Sequence, residues 1–81
     1  ALEFYQKTLE IETKILAPNH PSLAVTYFNL AITFDWLDRT QEAIEFATKA
    51  LEINRLVFGD DHSEVEEKRT FIDSLKQREN K

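Results

Sequence analysis

The chain has 81 residues, no cysteine and a formal net charge of −5. That length allows one small domain, and the acidic balance opposes binding to nucleic acid or to an anionic membrane surface, because both attract Lys and Arg. The absence of cysteine excludes thiol catalysis and cysteine-rich metal sites. The sequence also contains no signal-peptide or membrane-spanning pattern. We therefore expect a cytoplasmic protein without a cofactor.

The first two predicted helices are separated by a break that contains proline. Apolar residues at three- to four-residue spacing indicate a helix over roughly residues 1–16. Pro18 ends it, because proline cannot continue the hydrogen-bond ladder. A second helix is predicted over roughly residues 20–37, with Asn19 as its N-cap and Pro21 in the first turn, where a missing N–H is tolerated.

Two further helices complete an all-α pattern. The third is predicted over residues 40–58 and is followed by Gly59, at a position that favours the left-handed conformation. The fourth is predicted over residues 61–79 with Asp61 as its N-cap, and the charged tail of residues 76–81 is expected to fray. Because the connections are short, neighbouring helices should pack antiparallel.

The chain repeats itself at an offset of 42 residues. Residues 1–11 return as residues 43–53 with seven of the eleven positions identical, and His20 and His62 share the same offset. A repeat of this length indicates stacked supersecondary units, which form extended surfaces more readily than catalytic pockets. The period therefore predicts a binding scaffold.

The segment around the second and third helices resembles the tetratricopeptide repeat family. The 42-residue period and the Asn29-Leu30-Ala31 triplet narrow the resemblance to the longer repeat type of kinesin light chains. It implies a helix-turn-helix solenoid in which 1–16 is the second helix of one repeat, 20–58 a complete repeat and 61–79 a terminal or capping helix. The residues that match the family pattern are Tyr27, Leu30, Ala31, Phe34, Ala43 and Ala50.

The chain also departs from the family pattern at several positions. Asp38 stands where a glycine is common, and Ala47 where an aromatic is common. In the fourth helix, the four pattern positions are occupied by Arg69, Ile72, Asp73 and Lys76, and only Ile72 fits the family pattern. This helix is therefore expected to be a cap whose outer face is polar.

The second helix carries two apolar faces. One face is assigned to the core of the repeat and comprises Ala24, Tyr27, Leu30, Ala31 and Phe34. The resemblance implies that the other face lines a concave groove, with Asn29 holding a ligand backbone and Trp36 anchoring it. The predicted peptide-binding residues are Val25, Phe28, Asn29, Ile32, Trp36 and Phe71. Alternatives are burial of this face by neighbouring helices, an interhelix hydrogen bond for Asn29, or self-association through the open ends of the solenoid.

No catalytic or metal-binding pattern rises above a structural explanation. Asp60, Asp61, His62 and Glu64 form the one cluster that resembles a metal site, and helix capping accounts for the same residues. We therefore predict a non-catalytic protein-interaction module that binds a peptide or helix. The alternatives are a structural, self-associating segment without an external ligand, or a sensor attached to an enzyme elsewhere in a longer chain.

Overall fold

The computed structural model describes residues 1–79 and shows the helices α1 (Leu2–Ile15), α2 (Pro21–Trp36), α3 (Thr40–Phe58) and α4 (Ser63–Glu79). Residues 1–79 contain no strand, so the predicted all-α class is confirmed. Helix α4 is regular to Glu79, so the fraying expected of the tail is wrong up to that residue, and the rest of the tail lies outside the described residues. Within the described range, no helix is long and apolar enough to cross a membrane.

The helices stack in chain order. The main contacts join α1 to α2, α2 to α3 and α3 to α4, and the described chain measures 40 × 32 × 13 Å along its principal axes. This flat arrangement, in which each helix packs mainly on its sequence neighbours, is that of a helical solenoid.

Histidine side chains cap α2 and α4. The Nδ1 atom of His20 accepts a hydrogen bond from the backbone N–H of Ser22 at 3.0 Å. One period later, the Nδ1 atom of His62 accepts from the N–H of Glu64 at 3.1 Å. Each cap satisfies one of the amides that lack an intrahelical partner in the first turn. The identical geometry gives the two histidines a structural role.

The predicted caps Asn19 and Asp61 are wrong by one residue each. Pro21 is the first residue of α2, and a residue that precedes proline is held in extended backbone. His20 accordingly has φ −66° and ψ 136°, the conformation that an N-cap requires. At α2, the preference of Asn for caps gave the wrong residue, because the proline had already set the boundary. At α4, which begins at Ser63, no proline follows His62.

The connection between α2 and α3 is a Schellman turn with Asp38 in its left-handed position. Asp38 has φ 60°, its N–H donates to the carbonyl of Asp35 at 3.1 Å, and the N–H of Arg39 donates to the carbonyl of Phe34 at 2.9 Å. The Arg39 guanidinium also lies 4.7 Å from the centre of the Phe34 ring. These bonds satisfy the last carbonyls of α2 and explain why glycine is usual at the position of Asp38.

Gly59 ends α3 and requires a backbone that other residues avoid. Its φ is 88°, and its N–H donates to the carbonyl of Arg55 at 2.9 Å. No atom lies within 4 Å of a Cβ placed there, so the positive φ rather than crowding accounts for the glycine.

The core is built around small residues on α3. Ala43, Ala47 and Ala50 are fully buried, which lets α3 approach both α2 and α4 closely. The predicted core face of α2 is confirmed: four of its members are buried, and Tyr27 is half-buried with its ring stacked on Phe46 at 6.0 Å. The four buried members are Ala24, Leu30, Ala31 and Phe34.

Candidate functional site

The predicted binding face of α2 lies beside α4, and its exposure varies along the helix. Val25 and Trp36, at the two ends, are 60% and 85% exposed. Phe28, Asn29 and Ile32, between them, are half-buried. The face is therefore half-covered in its middle and open at both ends, and we call this face together with the adjoining side chains of α4 the groove.

Phe28 joins the two walls of this groove. Its ring meets that of Phe71 on α4 edge to face, with centroids 5.0 Å apart. The ammonium of Lys68 lies 4.6 Å from the centre of the same ring. Phe71 therefore projects toward the α2 face, and the contact also covers part of Phe28. Burial by a neighbouring helix, one of the alternatives from the sequence, holds for this part of the face.

Lys68 is a residue of the groove that the sequence argument missed. Only 5% of it is exposed, and its Nζ lies 3.4 Å from a carboxylate oxygen of Glu64 and 3.2 Å from one of Glu67. A buried ammonium needs such partners, because desolvation without them is very unfavourable. The signal was present in the repeat: Lys68 stands one 42-residue period after Thr26, which is also 5% exposed.

A second polar contact joins α2 to α4 beside one end of the groove. The guanidinium of Arg78 on α4 pairs with the carboxylate of Asp35 on α2, next to Trp36. This pair joins the two helices where α2 ends, and it leaves the indole of Trp36 outside the contact. The two residues are 43 positions apart in the sequence, so the sequence alone did not predict their pairing. They come together only because α4 lies beside α2.

Asn29 lies at the centre of the groove. Its backbone carbonyl accepts a hydrogen bond from the Thr33 hydroxyl at 2.8 Å. Its side-chain amide takes part in no hydrogen bond among residues 1–79, so the interhelix bond considered as an alternative is absent from the described structure.

The comparison with protein families decides the assignment. The family model described as Tetratricopeptide repeat matches residues 1–55. The chain belongs to the tetratricopeptide repeat family. The matched segment spans α1, α2 and most of α3, while α4 lies outside it. A comparison with curated proteins gives no match. Tetratricopeptide repeats generally mediate protein–protein interaction and are typically non-catalytic.

In this tetratricopeptide repeat chain, the acidic and histidine residues between α3 and α4 make contacts that support the fold. Asp60 accepts from the Arg55 guanidinium at 2.7 Å and lies 3.5 Å from that of Arg69. His62 caps α4, and its ring stacks on Phe58 with centroids 4.3 Å apart. Within residues 1–79, no three His, Asp or Glu side chains converge as metal ligands would.

Proposed function

We propose that this tetratricopeptide repeat segment is a non-catalytic module that binds a peptide in the groove between α2 and α4. The observation that carries the proposal is the exposure of Trp36, the chain's single tryptophan, at the end of a half-buried apolar groove. A large aromatic side chain left 85% exposed beside apolar surface is typical of a binding anchor.

The length of the groove suggests the size of its ligand. Val25 and Trp36 are eleven residues apart on α2, or ~16 Å at the helical rise. An extended peptide covers that distance with about five residues. Asn29 lies between the two ends, and its amide donates and accepts at once, as hydrogen bonding to a peptide backbone requires.

The charges around the groove favour a ligand with basic residues. Three carboxylates, from Asp35, Glu64 and Glu67, face two cations, from Lys68 and Arg78, and both cations are already paired. With a net charge of −5 on the chain, we expect a basic peptide to associate faster than an acidic one and to lose this advantage in high salt.

A second candidate function is structural, and one observation favours it. Phe28 and Phe71 pack against each other, so part of the groove already serves the stack of helices. On this alternative the segment is an internal or self-associating part of a longer solenoid, or a sensor attached to an enzyme.

The kinesin light chain-like repeat type and the cytoplasmic location belong to the proposal, and imaging of a tagged full-length protein tests the location.

Selection of short peptides from a random displayed library tests the proposal. Selected peptides are titrated into the chain while the emission of Trp36 is followed, since burial of an exposed indole shifts its emission to shorter wavelength. Binding is then measured by anisotropy of a labelled peptide. Trp36→Ala and Asn29→Ala are each expected to weaken binding by tenfold or more, roughly the effect of removing an interface anchor.

A matched control separates the groove from general apolar surface. Leu56 on α3 is 70% exposed and lies outside the groove, so Leu56→Ala should leave peptide affinity unchanged. If Trp36→Ala and Asn29→Ala lower the melting temperature but leave the affinity of the folded protein intact, the groove is not the binding site.

A further inference from the structure

The face of the Phe28 ring already holds a cation in this structure. The ammonium of Lys68 lies 4.6 Å from the ring centre, 3.4 Å from a carboxylate oxygen of Glu64 and 3.2 Å from one of Glu67. An aromatic face next to two carboxylates is a typical binding site for a basic side chain. Here a lysine of the chain itself fills that site.

The carboxylates of this site are open to solvent, although the ammonium is buried. The side chains of Glu64 and Glu67 are 45% and 57% exposed, and Phe28 is half-buried. Two carboxylates share one ammonium, so the open side of the site carries an excess of negative charge that attracts a cation. A basic side chain of a ligand therefore reaches the site from the groove without entering the core.

Asn54 on α3 supplies an unused acceptor for the ammonium of Lys68. Asn54 is 3% exposed, and its Oδ1 atom has no hydrogen-bond partner among the described residues. Asn54 and Lys68 stand one 42-residue period after Glu12 and Thr26, and the Thr26 hydroxyl donates to the Glu12 carboxylate between α1 and α2. The repeat thus places Asn54 opposite Lys68 across the contact of α3 with α4. An unpaired buried acceptor is unfavourable, so this position favours a donor.

A guanidinium suits the site better than an ammonium does. It is planar, so it stacks on an aromatic ring while its N–H groups pair with carboxylates, whereas an ammonium has no flat face to stack. Once a ligand guanidinium takes this place, the ammonium of Lys68 needs another partner, because burial of an unpaired charge is strongly unfavourable. The Oδ1 atom of Asn54 is that partner.

We propose that Phe28, Glu64 and Glu67 form the subsite of the groove that takes an arginine side chain of the ligand. Lys68 fills this subsite in the free protein, and arginine moves its ammonium to Asn54. The inference rests on the proposed peptide binding and names the ligand residue that the groove selects. Lys68 competes with the ligand, so its removal strengthens arginine binding.

Titration of N-acetyl-arginine methylamide tests the subsite without a peptide, and the neutral N-acetyl-citrulline methylamide is the control ligand. Binding is followed by NMR through the ring-proton shifts of Phe28 and Phe71. The wild type should bind the arginine probe more tightly than the citrulline probe. Lys68→Met vacates the subsite and should bind the arginine probe roughly tenfold more tightly than the wild type does. Circular dichroism verifies that the variant keeps its helices.

Lys49→Met is the matched control variant. Lys49 also lies over an aromatic ring, 5.7 Å from the centre of Tyr27, but it belongs to α3 and lies outside the groove. Its removal should leave the affinity measured at Phe28 unchanged. Equal arginine affinities of Lys68→Met and the wild type overturn the proposal, and so do equal affinities for arginine and citrulline.

Asn54→Leu tests the movement of Lys68. In the wild-type background it should weaken arginine binding roughly tenfold, because the displaced ammonium loses its acceptor. In the Lys68→Met background it should have no effect, since no ammonium needs a partner. An equal loss in both backgrounds, or no loss in either, overturns the movement of Lys68 to Asn54.

The failure of this inference is distinguishable from the failure of peptide binding. Phe28 and Trp36 are eight residues apart on α2, or ~12 Å, so the small probe does not reach the proposed anchor. A chain that binds library peptides through Trp36 and Asn29 without distinguishing arginine from citrulline keeps the proposed function and overturns this inference. A chain that binds the arginine probe but no peptide keeps the subsite and overturns the proposed peptide binding.

Discussion

Replacing Asp38 with glycine is expected to raise the free energy of unfolding by about 0.5 kcal/mol. Asp38 occupies the left-handed position of the turn after α2, with φ 60°. That conformation is unfavourable by ~1–2 kcal/mol for a residue with a Cβ, and by less for Asp, whose short side chain is tolerated there. Glycine removes the strain, but its greater freedom in the unfolded chain takes back ~0.4–1 kcal/mol.

The charge of Asp38 contributes little to this balance. It follows the carboxyl end of α2, where a negative charge is unfavourable, and precedes the amino end of α3, where a negative charge is favourable. The two effects oppose each other, so Asp38→Asn should leave stability nearly unchanged. Asp38→Ala keeps the Cβ and loses the polar group, and should lower stability.

Urea unfolding followed by far-UV circular dichroism measures these differences by linear extrapolation. For a domain of this size, 0.5 kcal/mol corresponds to a rise in Tm of about 2–4 °C. The order of stability should be glycine above asparagine and aspartate, with alanine lowest. A glycine variant no more stable than the asparagine variant would refute the argument from backbone strain.

Four other substitutions test the packing and capping of the fold. His20→Ala and His62→Ala should each lower the free energy of unfolding by ~0.5–2 kcal/mol, because a first-turn amide loses its acceptor. Asparagine at either position should preserve the cap. Equal stability of the alanine and asparagine variants would contradict the capping role. Asn54→Leu should raise stability by about 1 kcal/mol in urea unfolding, since the buried Oδ1 of Asn54 has no partner among the described residues, and a loss of stability would indicate a hidden one. Ala47→Leu should lower stability by ~1–3 kcal/mol through overpacking between α2 and α4, and a neutral result would show that the helices move apart readily.

The sequence predicted the helices well because their signals are local. Apolar spacing, Pro18 and Gly59 act within one or two turns, and the predicted bounds lie within about two residues of the observed ones. The predicted cap of α2 was wrong for an equally local reason, since Pro21 holds His20 in extended backbone and this outweighs the preference for Asn.

Exposure could not be predicted in the same way, because it depends on which helix lies next to a residue. Phe4 and Phe46 occupy the same position of the repeat, yet Phe4 is 67% exposed while Phe46 stacks on Tyr27 and Phe34. Lysine is usually found at the surface, yet Lys68 is buried against Phe28.

The 42-residue period, the helical pattern and the family resemblance were determined by the sequence alone, since each is a property of neighbouring residues along the chain. Only the tertiary structure decided that Phe71 and Lys68 cover part of Phe28 in the middle of the groove and that Trp36 remains open at its end. These features depend on contacts between helices that are distant in sequence, and those contacts determine which side chains are buried.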